Sequence, residues 1–96
     1  NFPVSENHRP LYDAITKDLT DALQPVGDIE TDYFNHLRNA RFLMERITAL
    51  QDELNHQLAP EAQQQHKLLD RYLRVAKADY GANLKVLQLL QSARQS

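Results

Sequence analysis

One pair of side chains stands at metal-ligand spacing: Glu53-x-x-His56 sets a carboxylate and an imidazole one helical turn apart. Di-iron helical bundles take two such pairs and two further glutamates from four helices. Here there is one pair, with His66 further along, so polar residues beside an exposed turn are the better reading and no metal is expected. His36 follows Asp32 by four residues and His66 precedes Asp70 by four, the spacing of ordinary contacts on a helix surface. None of the four histidines has the lysine and small-residue neighbourhood that would admit a phosphoryl group. The serines and threonines sit in no elbow or Gly-rich turn, and the two glycines form neither a P-loop nor a dinucleotide fingerprint. The expectation is a non-enzyme, with no cofactor and no small-molecule substrate.

The second chemistry worth weighing is phosphate binding. In His66 to Lys77, HKLLDRYLRVAK, four cations recur at positions 67, 71, 74 and 77. At 100° per residue Lys67, Arg71 and Arg74 share a narrow face opposite Leu69, Ala76 and Leu87, with Lys77 at its edge and Asp70 among them. Arg38, Arg41 and Arg46 could complete a belt if residues 38–46 lie beside this segment. Against that, no stacking aromatic accompanies the row, and the pI of about 6.1 is far below that of most nucleic-acid modules. A solvated face is the first reading, and nucleic-acid binding through these seven residues is the alternative.

The elements that must position these residues follow from composition and pattern. The 96 residues suffice for one domain. Apolar residues make up 42% and charged residues 25%, with two Gly, four Pro and no Cys, a balance that favours long helices and excludes disulfides and thiolate metal sites. No run is apolar enough to span a bilayer, and NFPVSENHRP lacks the order of a signal peptide, so a cytoplasmic protein without membrane contact is expected. A first residue of Asn1 suggests a piece of a longer polypeptide. Residues 1–32 carry a net charge of −5 and residues 33–96 a net charge of +3, which can neutralise each other within one bundle.

Residues 1–9 read as an extended arm, and 10–96 as a single helical domain. Leu11, Ile15, Leu19 and Leu23 recur every four residues and predict a helix over about 9–24, opened by Pro10 and stopped by Pro25 and Gly27. Asp28 is the expected N-cap of a second helix, whose 3-4 apolar spacing from Ile29 to Leu58 carries it to Pro60. Pro60 opens a third helix, marked by Leu69, Leu73, Ala76, Tyr80, Leu84 and Leu87, that runs nearly to the end. Gly81 inside it suggests a close helix contact.

Short connections make helices two and three an antiparallel hairpin, a coiled-coil-like pair, and fold helix one back along the first half of helix two. There the third helix offers a second stripe, Val75, Ala82, Val86, Leu89 and Ala93, which helix one is expected to bury. Toward the tip, Leu50, Leu54, Leu58, Leu68 and Tyr72 have no third layer, which marks them as a surface for a protein partner or for self-association into an oligomer. Tyr33, Phe34, Tyr72 and Tyr80 read as core or core-edge aromatics.

The segments FPVSEN, LYDAITKDLTDALQPVGDIETDYFNHLRNAR and LLDRYLRVAKADYGANLKVLQLLQSAR together resemble a family of small helical proteins common in acidobacteria and planctomycetes. The likeness covers most of the chain. Gln24, Pro25 and Gly27 match a "QP-x-G" turn, Arg38 and Arg41 an Arg-rich turn, and Leu87, Leu90, Gln91 and Arg94 a closing "L-x-x-L-Q-x-x-R". An upstream "H-G-L" segment of that family is missing, in keeping with a fragment. The resemblance implies a bacterial helical protein and no catalytic residue; some members look like accessory proteins of mobile elements or phages, which bears on the nucleic-acid alternative.

Overall fold

The computed structural model describes residues 4–57 and 59–95. Among the described residues the protein is all-α, with three α-helices: α1 (Arg9–Leu23), α2 (Gly27–Leu54) and α3 (Pro60–Gln95). A 3-10 turn over Glu6–His8 leads straight into α1, so the segment expected to be wholly extended is partly helical. Pro10 lies in the first turn of α1, where a missing N–H leaves no bond unmade. Gln24 ends that helix in the left-handed region (φ 45°), its N–H bonded to the Thr20 carbonyl at 2.9 Å. Pro25 then disfavours any return to helical dihedrals at the residue before it.

The second helix starts and stops earlier than its spacing suggests. Its N-cap is Val26 and not Asp28, because Gly27, at φ 83°, makes the turn and lets the helix begin at once. Glu30 reaches back to accept the Val26 N–H at 3.1 Å, satisfying one of the donors a helix start leaves open. At the other end α2 stops at Leu54 and does not continue to Pro60. Two antiparallel helices in contact need several residues to reverse direction. Asn55 is the C-cap: its N–H makes the last i→i−4 bond, to the Gln51 carbonyl, and its side-chain oxygen lies 3.0 Å from Nε2 of His66 across the tip.

The α2–α3 hairpin is the spine of a molecule 55 × 26 × 21 Å in extent. Leu37 and Leu87 are fully enclosed in it, with Ala40, Ile47, Ala62 and Ala76 also buried. Packing of small and branched residues at the seam lets the helices approach closely. Gln51 Nε2 donates to Asp70 at 2.6 Å near the tip, and Arg94 Nε donates to Glu30 at 2.7 Å near the base, which sets the register.

Helix α1 is not where the apolar stripes of α3 suggest. It packs mainly on α2: no Cα of α1 comes within 8 Å of one in α3, and the link to α3 is the Gln91 side chain at the Leu23 carbonyl. Tyr12 and Ile15 bury themselves against Phe42, with Val4 and Leu19 at the margin. The Tyr12 and Phe42 rings meet edge to face at 5.4 Å, and the Arg38 guanidinium lies 4.9 Å from the centre of the Tyr12 ring. Phe42 and Asn39, which meet α1, and Glu30 and Gln51, which bond α3, fall on nearly opposite sides of α2 at 100° per residue. Hence α2 is the middle of the three helices over most of its length. The stripe Val75, Ala82, Val86, Leu89 and Ala93 is therefore not covered by α1; Val86 is half-buried, and Val75 and Leu89 are 56% and 63% exposed. Gly81 likewise makes no close contact; a Cβ placed there would meet nothing within 4 Å.

Candidate partner-binding surface

Five of the exposed large apolar residues line one side of the hairpin, Leu43 and Leu50 from α2 and Leu68, Tyr72 and Val75 from α3, and at 100° per residue Ile29 and Leu89 fall on the same helix faces. The two helices run antiparallel, so their shared seam points the same way along the whole length and leaves a shallow trough between flanking apolar rows. Midway along, a groove of about 450 Å³ is lined by Leu43, Ile47, Leu50, Leu69, Tyr72 and Val75, with Arg46 and Asp79 at its rim. Next to it, toward the tip, a second groove of about 320 Å³ lies among Leu50, Leu54, Leu68 and Leu69, edged by Glu53, Gln57 and Gln65. A contiguous apolar surface of this kind is unusual on a monomer.

Of the residues singled out from the sequence, Leu50, Leu54, Leu68 and Tyr72 come together on this side; Leu58 lies outside the described residues. Leu43, one of the 3-4 spaced apolar residues of α2, and Val75, expected beneath helix one, join them. The signal for Val75 was present in its 3-4 spacing with Leu68 and Tyr72, and was masked by the expectation that helix one lay above it.

The seven basic residues stand in different settings. Arg38 is held over Tyr12 between α1 and α2, Arg41 pairs with Glu45 at 3.2 Å, and Arg46 stands at the rim of the apolar groove. Lys67, Arg71, Arg74 and Lys77 are exposed on α3, turned away from the α2 seam that Leu69 and Ala76 occupy. Asp70 is directed to Gln51 and lies 3.9 Å from His66.

Among the described residues no three metal-ligating side chains gather. Glu53 edges the tip groove, and His56 is exposed in the turn. Ser5 Oγ lies 2.7 Å from His8 Nδ1, three residues apart on an exposed turn, and the His8 ring meets Phe42 in a T-shaped contact at 6.4 Å. No helix among the described residues is long and apolar enough to cross a membrane.

The polar feature that sequence reading passed over is at the base. Glu30 is buried, and its carboxylate accepts from Arg94, Gln91 and the Val26 N–H, while Gln91 also donates to the Leu23 carbonyl at 2.6 Å. One carboxylate and one amide thus tie the end of α1, the start of α2 and the end of α3. The Arg94 hydrogen bond, helped by the Val26 N–H and Gln91, holds the Glu30 carboxyl below its ordinary value of 4.5, against burial, which pushes it up. The fixed spacing of Gln91 and Arg94, one turn apart and at the end of the chain's apolar pattern, was the signal available for it.

No protein-family model, curated protein or solved structure matches the chain, and nothing in these comparisons bears on the resemblance noted above.

Proposed function

We propose that this protein is a non-enzymatic helical interaction module that assembles with a protein partner through the apolar side of its α2–α3 hairpin. The observation that carries the reading is the trough itself: Leu43, Leu50, Leu68, Tyr72 and Val75 stand exposed together along two grooves, on the side α1 does not cover. Burying an apolar side chain of this size contributes roughly 1.5 to 3 kcal/mol, so a partner helix laid in the trough gains most from these positions. The experiment is site-specific photocrosslinking with benzoylphenylalanine at position 72, inside the surface, and at position 77, outside it, in the cells from which the protein comes. Adducts to protein at 72 and not at 77 are expected; equal or absent crosslinking at both positions sinks the reading.

A second reading has one observation in its favour, the exposed row Lys67, Arg71, Arg74 and Lys77. On that reading the protein is a nucleic-acid-associated accessory protein. Binding would then fall steeply with salt and weaken on Arg71→Glu; absence of binding to DNA and RNA at low salt removes it.

A further inference from the structure

We infer that the occupant of the apolar side is a second copy of this chain, paired along the full length of the hairpin to make an antiparallel four-helix bundle with both tips at the same end. This rests on the interaction reading above and names its partner. Three observations lead to it.

The first is periodicity. On α3 the exposed residues Leu68, Tyr72, Val75, Ala82 and Leu89, with the half-buried Val86, follow alternating steps of four and three once Asp79 is counted in its place. On α2, Ile29, Leu43 and Leu50 fall at steps of seven or twice seven, with His36 at the position between. A sustained 3.5-residue period is the seam of a supercoiled helix pair. A partner for this surface must bring two antiparallel helices of matching length and period, and the chain itself has that shape.

The second is area. The stripe from Leu68 to Ala93 is roughly 38 Å long, and two helices side by side are about 20 Å wide. That covers on the order of 750 Å² per copy, or about 1,500 Å² in all, the usual size of a stable interface. The tip half alone would supply about half of it.

The third is charge. Arg46 on α2 and Asp79 on α3 both line the mid-length groove. Contacts between residues 51 and 70 and between 30 and 94 fix the level of each helix against the other, placing Asp79 close to Leu43 and about one turn from Arg46. A two-fold axis along the hairpin lays α2 of each copy over α3 of the other and brings each Asp79 toward the other copy's Arg46. An axis across the hairpin would instead set Asp79 near its own image at the centre of the stripe, where like charges repel.

The test uses the purified chain, of mass 11.1 kDa. Light scattering at about 100 µM is expected to give twice that mass, with little change on adding salt. Leu89→Glu and Ala82→Glu, both at exposed positions on the base half, should return the monomer with helicity by circular dichroism unchanged. Since the chain has no cysteine, Gln63→Cys can carry a single spin label near the tip. An interlabel distance of roughly 30 Å is expected, against more than about 45 Å for tips at opposite ends. A monomer at this concentration overturns the inference, and if position 72 still crosslinks to another protein, the interaction reading stands without it. A dimer broken by Leu68→Glu but untouched by Leu89→Glu overturns pairing along the full length, and a long label distance overturns the orientation.

Discussion

Glu30 is a carboxylate whose environment gives the fold a pH dependence. Its carboxyl is held low in the folded protein, first by Arg94. In the unfolded chain that partner is lost and the group returns to its ordinary value. A depressed folded value means the stabilisation is present above the ordinary carboxylate range and is lost as pH falls through the folded value. Urea unfolding of the wild type should therefore lose stability as pH falls through and below the ordinary carboxylate range. Glu30→Gln should be less stable at neutral pH and show a flatter response in that window; an identical slope would mean other carboxylates carry it. Gly81 belongs to this scale too. With open space at its Cβ position and φ in the ordinary helical range, Gly81→Ala should stabilise the protein by about 1 kcal/mol in the same assay.

The helices were legible in the sequence wherever a proline marked them. Pro10, Pro25 and Pro60 place the start of α1, its end and the start of α3 to within a residue or two, because each removes a donor and restricts its neighbour. The end of α2 was not legible, since Asn55 and His56 break no pattern and stop the helix only because the partner helix lies so near. Nor was the side on which α1 docks. Periodicity reports that α3 has two apolar stripes, but it does not say which element meets which. That choice fell to bulk: Tyr12, Ile15 and Phe42 make a larger cluster than α1 could form with the Val and Ala of the second α3 stripe. The tip residues of the candidate surface were readable because nothing was near enough to cover them, whereas Val75 and Leu89 were concealed by the same misplacement of α1. Phe42→Ala should consequently cost about 3 to 5 kcal/mol. By hydrogen exchange, the loss of protection should concentrate in α1 and leave the α2–α3 seam protected; uniform loss would show that α1 and the hairpin open together.

At the scale of the whole molecule, an assembly that buries the trough links folding to concentration, because association favours the folded chain by mass action. The melting temperature should rise over a hundredfold increase in protein concentration, and Leu89→Glu should abolish the rise. A melting temperature independent of concentration in the wild type would point to a folded monomer. The base clamp has a further consequence, in the order of events. His66 and Asn55 are eleven positions apart and Gln51 and Asp70 nineteen, whereas Gln91 meets Glu30 across sixty-one and the Leu23 carbonyl across sixty-eight. Closing the short loops costs less entropy, so the hairpin should zip from its tip and the clamp should form after the rate-limiting barrier. Removing the clamp should then leave the refolding rate nearly unchanged and speed unfolding, so that Glu30 and its two partners act as a latch on how long the folded state lasts.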